Sequence, residues 1–158
     1  MALQYGDKLK LMYRLEKYRN EWQIAGEKLQ ELEDELEMYR QKRQQAAGQN
    51  LTGMPRSGTI RDNLAEYAIR VLELEEKTEI QRNVVRKKYI RVIVEESRLY
   101  NAVKNSPDAE LLLARFMLGK SYYSISQTFK TPETTIRRRI KKAIENLTDE
   151  DMKAFKRN

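Results

Sequence analysis

Eight apolar residues between positions 15 and 39 recur at alternating spacings of three and four residues. They are Leu15, Tyr18, Trp22, Ala25, Leu29, Leu32, Leu36 and Tyr39. A repeat that averages ~3.5 residues is typical of a coiled-coil seam, whereas a solitary globular helix face follows ~3.6. Glutamate, lysine, arginine and glutamine fill most positions between them, and these residues favour helix and solvate its outer surface. The spacing predicts one long helix from about Asp7 to Ala47.

A loop and a second long helix follow. Gly48 is predicted to end the first helix in a left-handed cap. Two glycines and a proline within residues 53–58, at Gly53-Met54-Pro55 and Gly58, predict a loop over 48–58. A helix is then predicted from about Thr59 to Asn105. Its apolar positions keep the same spacing at Ile60, Leu64, Tyr67, Val71 and Leu74. Two long helices joined by a short loop predict an antiparallel helical hairpin over residues 1–106.

A hairpin of two helices buries too little apolar surface to be stable alone, so a second copy of the hairpin, or another partner, is expected to complete its core. We therefore expect a homo-oligomer, either a dimer or a tetramer. The residues predicted to line the oligomerisation seam are Leu15, Tyr18, Trp22, Leu29, Leu32, Leu36, Leu64, Tyr67, Val71 and Leu74.

Residue usage argues against an enzyme. The chain has no cysteine and no histidine, which excludes disulfides, zinc–thiolate sites and a cysteine or histidine catalyst. It has no glycine-rich phosphate loop and no nucleophile beside a base. We expect no cofactor and no bound metal. No apolar run approaches the ~18 residues of a membrane span, and the first residues lack a signal-peptide pattern, so a cytoplasmic location is expected.

Residues 107–158 are predicted to form a separate helical domain. A helix from Asp108 to Leu118 is followed by a glycine, and Ser121 is placed to cap a helix over residues 122–129. Lys130-Thr131-Pro132 predicts a tight turn, with Thr131 as N-cap and Pro132 at the first position of a helix that reaches about Leu147. A short helix, a tight turn and a longer helix predict a helix-turn-helix.

The positive charge is concentrated in this last part of the chain. The whole chain carries a formal charge of +7. The stretch Lys130–Lys142 alone contains six basic residues and one acidic residue, a balance of +5. A basic helix that ends a helix-turn-helix fits the major groove of double-stranded DNA, which we expect to be the partner.

The stretch over residues 119–144, GKSYYSISQTFKTPETTIRRRIKKAI, resembles region four of bacterial sigma factors. That family has a glycine before its second helix, an isoleucine where Ile125 stands, a branched residue followed by arginine where Ile136 stands, and a late Ala-Leu pair where Ala143-Ile144 stand. The chain departs from the family at Lys130, where glycine is usual, and at Pro132, where serine or threonine is common. The resemblance covers about forty residues and implies the helix-turn-helix fold.

The same resemblance implies roles for individual residues. The base-reading positions of the family fall on Glu133, Thr134 and Arg138, which can accept from cytosine N4, meet a thymine methyl group and bind guanine O6 and N7, respectively. The positions implied to bind phosphate are Lys130, Thr135, Arg137, Arg139, Lys141 and Lys142.

The order of hairpin, loop and helix-turn-helix resembles small phage and prophage proteins related to the ArpU and RinA types of late-transcription regulator. This resemblance implies control of phage late genes, in the cytoplasm of a bacterial host and together with host RNA polymerase. Two alternatives stay open. One is a small terminase subunit that marks DNA for packaging, although such subunits usually carry their DNA module first. The other is a protein that binds polymerase or sigma factor without DNA.

Overall fold

The computed structural model describes residues 2–50 and 58–156, with side chains at 2–48 and 63–156, and this part of the chain is helical without a β-strand. The all-α class is thereby confirmed for it. The helices are α1 (Tyr5–Met12), α2 (Arg14–Asn50), α3 (Gly58–Val103), α4 (Ala109–Leu112), α5 (Tyr122–Phe129), α6 (Glu133–Glu145) and α7 (Asp149–Met152). A π-helical turn at Leu113–Met117 follows α4, and a 3₁₀ turn at Lys153–Lys156 follows α7.

The predictions for the long helices differ from the structure at three places. The first helix is interrupted at Tyr13, so that α1 ends at Met12. Helix α2 continues through Gly48 to Asn50, because a single glycine near the end of a run of good helix formers costs only ~1 kcal/mol. Helix α3 begins at Gly58, so the loop predicted over 48–58 is shorter at both ends. Its Gly53-Met54-Pro55 segment lies outside the described residues.

The chain divides into two compact units that differ in charge. One unit comprises Met1–Glu21 and Lys88–Asn158, and the other comprises Trp22–Lys87. The sequence of the first unit holds 20 basic and 12 acidic residues, a net +8, and that of the second holds 11 basic and 12 acidic residues, a net −1. The first unit therefore carries the whole positive excess of the protein.

In the Trp22–Lys87 unit, α2 and α3 pack through a small apolar core. Leu36, Val71 and Leu74 are buried there. The contacts pair rising residue numbers in α2 with falling numbers in α3. Residues 25, 35 and 39 contact residues 81, 70 and 67, respectively.

Polar residues occupy the next buried positions of α3, where the apolar pattern of the sequence loosens. Thr78 and Gln81 follow Leu74 at spacings of four and three, and both side chains are buried. Gln81 Nε2 donates to the carbonyl oxygen of Ala25 at 3.0 Å. The seam spacing thus continues through these residues although their side chains are polar.

In the other unit, the N-terminal helices and the C-terminal helices share one core. Its buried residues include Met12 and Leu15 from the N-terminal segment, Val92 and Leu99 from α3, and Leu112, Phe116, Ile125, Ile136, Ile140, Ile144 and Phe155 from the C-terminal segment. The domain boundary predicted between residues 106 and 107 falls inside this unit.

The residues assigned to the oligomerisation seam differ in how far one chain covers them. Leu15, Leu36, Val71 and Leu74 are buried within a single chain. Trp22 is 36% exposed. The partly buried members are Tyr18, Leu29, Leu32, Leu64 and Tyr67. Oligomerisation itself stays a prediction.

The C-terminal end of α6 is held by a buried lysine of α1. Lys8 is 7% exposed, and its ammonium group donates to the carbonyl oxygens of Glu145 at 3.1 Å and of Leu147 at 2.6 Å. These carbonyl groups have no partner in the helical ladder, and a cation there also complements the helix dipole. An N-terminal residue thus caps the helix predicted to read DNA.

Replacing Lys8 with methionine is expected to lower the free energy of unfolding by roughly 1.5–2 kcal/mol, because one buried and one part-buried carbonyl group lose a charged donor while the side chain keeps its length. Lys10 lies on the same helix and is exposed, so Lys10→Met should change stability by less than ~0.5 kcal/mol. Urea unfolding followed by circular dichroism measures both. Equal losses in the two variants would contradict the capping role.

Candidate nucleic-acid interface

The segment before α6 is shaped by two left-handed residues and a serine cap. Gly119 has a φ of +66° and ends the preceding π-helical turn, as predicted. The Ser121 side chain accepts from the backbone N–H of Ser124 at 3.1 Å, which confirms the predicted cap of α5. Lys130 follows α5 with a φ of +51°, a left-handed conformation that glycine adopts more readily. Gly119 and Ser121 thus precede and cap the start of α5, and Lys130 sets the turn between α5 and α6.

Helix α6 begins one residue later than predicted. Pro132 occupies the N-cap position and makes no side-chain cap, and Glu133 is the first helical residue. The Thr131 hydroxyl, which was predicted to cap the helix, instead donates to the carbonyl oxygen of Phe129 at 3.0 Å. The first turn of α6 therefore has no capping side chain of its own.

One face of α6 is buried and the opposite face is basic. Ile136, Ile140, Ala143 and Ile144 are buried, and so is the following Leu147. With 3.6 residues per turn, the positions opposite this face include those of Thr134, Arg138, Lys141 and Lys142. All four of these side chains are exposed. The packing of α6 thus turns three cations and a threonine away from the core.

Arg137 lies at one edge of the exposed face and has several partners. Its guanidinium donates to Glu133 Oε1 from Nη2 at 2.8 Å and from Nε at 3.3 Å. It also lies over the ring of Tyr122, with Cζ 4.4 Å from the ring centre. Glu133 and Arg137, predicted to bind a base and a phosphate separately, are therefore paired.

Arg139 lies at the other edge and pairs with a residue outside α6. Its Nη2 atom is 2.7 Å from Asp108 Oδ1. Lys141 has its ammonium group 5.6 Å from the ring centre of Tyr5, and Thr135 is half-buried. The remaining predicted phosphate ligand, Lys130, is exposed in the turn.

Tyr122 contacts two arginines, an arrangement that sequence reasoning missed. Arg115 Cζ lies 4.1 Å from the ring centre, and Arg137 Cζ lies 4.4 Å from it. Both distances are within the range of a cation–π interaction. Burial raises the pKa of the Tyr122 phenol above its ordinary value, and nearby Tyr13 contributes to the rise.

Arg115 also anchors this stack to the surrounding helices. Its Nη1 atom donates to the carbonyl oxygen of Lys120 at 3.0 Å, and Nη2 donates to Tyr13 Oη at 3.2 Å. No periodic signal in the sequence points to Arg115 or Tyr122, because their contact joins residues of different helices. Lys8, by contrast, precedes Met12 and Leu15 at the seam spacings of four and three, so the spacing could have identified it as an inward residue.

Comparison of the chain with protein-family models, with curated proteins and with solved structures gives no match. Within residues 2–50 and 58–156, no helix is long and apolar enough to cross a membrane. The same residues contain no group of three or more acidic side chains that could hold a metal ion.

Replacing Lys130 with glycine is expected to raise the free energy of unfolding by roughly 0.5–1 kcal/mol. The left-handed conformation costs a side-chain-bearing residue ~1–2 kcal/mol, and the entropy that glycine loses on folding offsets part of this. Lys130→Ala removes the same charge without relieving the backbone, so it is the matched control. Chemical denaturation measures both variants, and equal stabilities would contradict the expectation.

Proposed function

We propose that this protein is a sequence-specific DNA-binding regulator of phage or prophage transcription, most simply an activator of late genes that acts with host RNA polymerase. The observation that carries the proposal is the exposed face of α6, where Arg138, Lys141 and Lys142 project from a helix whose opposite face is buried. This face belongs to the compact unit whose sequence has a net charge of +8. Such a surface attracts the DNA backbone and lets side chains reach base edges.

The proposed architecture is a long antiparallel helical hairpin over residues 1–106, followed by a helix-turn-helix over 107–158. The contacts between α2 and α3 support the first part, because their residue numbers run in opposite directions. The short helix α5, the left-handed Lys130 and the longer helix α6 support the second. In this proposal α6 is the recognition helix.

The protein is further proposed to act as a homo-oligomer. DNA-binding dimers of this class present two recognition helices to half-sites about one helical turn apart, roughly 34 Å. Seam residues that keep exposed surface within one chain, such as the half-buried Leu29 and Leu64, would be covered by a second copy.

Capture of sheared phage and host DNA at about 0.15 M salt, followed by sequencing, tests this function. The control is Arg138→Ala/Lys142→Ala, because both side chains are exposed and neither has an ion pair among the described residues. A narrow peak upstream of a late operon that the control loses is the expected result. A peak at a packaging site would replace the proposal with a small terminase subunit. No enrichment over the control would favour a polymerase- or sigma-binding protein.

A further inference from the structure

Four side chains connect the scaffold of the charged unit to the first turn of α6. Arg115 and Arg137 both lie over the ring of Tyr122, with Cζ atoms 4.1 and 4.4 Å from its centre, and Arg137 in turn binds Glu133. This series of contacts begins at Arg115, which is fixed by one hydrogen bond to the carbonyl oxygen of Lys120 and one to Tyr13 Oη. It ends at a carboxylate that lies at the N-terminal end of α6, the part of a recognition helix that meets base edges.

The two oxygens of the Glu133 carboxylate are not equivalent. Both hydrogen bonds from Arg137, from Nε and from Nη2, end on Oε1. No described residue donates to Oε2. A carboxylate oxygen that is held in place and left without a donor suits an exocyclic amino group, and in the major groove that group is the N4 amine of cytosine.

We infer that Tyr122 and Arg137 are positioning residues that hold Glu133 for the recognition of a cytosine. The inference rests on the proposed DNA-binding function and assigns part of its sequence preference to residues that need not touch DNA bases. The planar guanidinium of Arg137 is essential to this role, since it lies over the ring and donates two hydrogen bonds from different nitrogen atoms to the same carboxylate oxygen.

This role differs from simple phosphate binding in what a charge-conserving substitution does. A phosphate ligand acts as a cation, so lysine at position 137 would retain most of its effect. A positioning residue needs the planar group, and lysine can neither stack in the same way nor bind Glu133 through two nitrogen atoms. Arg137 is largely exposed, with a side chain 59% accessible, so Arg137→Lys is expected to fold normally.

The test combines a sequence selection with a measurement on the free protein. Wild type first selects its preferred sequence from random double-stranded DNA, and Glu133→Ala identifies the base pair at which cytosine preference depends on Glu133. At that base pair, the affinity ratio that favours cytosine is expected to be about tenfold smaller in Arg137→Lys and in Tyr122→Leu than in wild type. Tyr122→Phe, which keeps the ring face, should stay within about twofold of wild type. The salt dependence of Arg137→Lys binding should equal that of wild type.

Nuclear magnetic resonance of the free protein examines the stack without DNA. The side-chain protons of Arg137 should show upfield ring-current shifts that persist in Tyr122→Phe and disappear in Tyr122→Leu. Absence of these shifts in wild type would overturn the inference whatever the DNA results. If wild type selects a sequence and Arg137→Lys keeps the cytosine preference, the inference alone fails. If the shifts are present but wild type selects no sequence, the proposed function fails and the inference fails with it.

Discussion

Replacing Glu95 with glutamine is expected to lower the free energy of unfolding by about 3 kcal/mol, although the substitution changes no more than one oxygen and one charge. The Glu95 carboxylate is 1% exposed and binds Arg14 through two bonds, Nε to Oε1 at 2.8 Å and Nη2 to Oε2 at 2.9 Å. Arg98 approaches the same carboxylate at 3.4 Å. The hydrogen bond from Arg14 to Glu95 raises the pKa of Arg14.

The loss would extend beyond the ion pair itself. Arg14 also donates to the carbonyl oxygen of Phe155 at 3.1 Å and lies over the Phe155 ring, so it connects α2, α3 and the C-terminal turn. The Arg14 side chain is 26% exposed at the edge of the core. In Glu95→Gln its guanidinium would lose the carboxylate that balances its charge. A partly buried charge that loses its partner is costly because the protein cannot solvate it as water does.

The adjacent residue provides the matched control. Glu96 has a side chain 40% exposed and a single ion pair to Arg19 at 2.9 Å, so Glu96→Gln should cost less than ~1 kcal/mol. Urea unfolding of wild type and both variants gives the comparison. A similar loss in Glu95→Gln and Glu96→Gln would show that the buried ion pair does not hold the three segments together.

The same pair of residues shows how far the sequence pattern could lead. The apolar spacing in the second half of α3 suggests Glu96 as a seam position, yet the structure buries Glu95 and leaves Glu96 half-exposed. The alternating steps of four and three that lead from Leu74 to Thr78 and Gln81 reach Glu95 when they are continued. This spacing therefore predicts that Glu95 is buried, provided that polar residues are allowed in the seam. A pattern of hydrophobicity alone overlooks them, because hydrogen bonds and ion pairs can satisfy a buried polar group as packing satisfies an apolar one.

In the C-terminal segment, local chemistry could be predicted more fully than long-range contacts. The Ser121 cap and the glycine stop at Gly119 both follow from local rules and are confirmed. The predictions that concerned distant partners were incomplete. Arg139 was assigned to phosphate from the family resemblance, and its pairing with Asp108 joins residues that are 31 positions apart. Such partners depend on tertiary packing, which no spacing rule encodes.

The capping by Lys8 shows the same limit at the other end of the chain. Helix α1 was predicted only as the start of a long coiled-coil helix, and α6 as an independent recognition helix. Their contact places an N-terminal ammonium group on the carbonyl oxygens of Glu145 and Leu147. Helix α6 is therefore held by a segment about 140 residues away, which the division into residues 1–106 and 107–158 does not suggest.

Replacing Arg138 with alanine is expected to reduce the preference for one guanine-containing base pair. The difference in binding free energy between that base pair and its replacements should fall by about 1–3 kcal/mol, a factor of roughly 5 to 150 in affinity. Arg138 is exposed and, unlike its neighbours Arg137 and Arg139, has no ion pair among the described residues. Its guanidinium can therefore bind guanine O6 and N7 without first breaking a contact within the protein. The stability of the variant should be unchanged, because its side chain packs against nothing in the core.

Lys142 lies one turn further along the same exposed face. A variant at this position serves as the comparison that distinguishes base recognition from phosphate binding. Lys142→Ala should weaken binding to every sequence by the same factor and reduce the slope of log affinity against log salt by ~0.9, the value for one phosphate contact. Arg138→Ala should instead weaken binding to the selected sequence far more than binding to random DNA. Fluorescence-anisotropy titrations of both variants, on the selected sequence and on its single-base-pair changes at several salt concentrations, distinguish the two effects. If Arg138→Ala weakened all sequences equally, this arginine would be a phosphate ligand, and the assignment of base reading to the exposed face of α6 would be wrong.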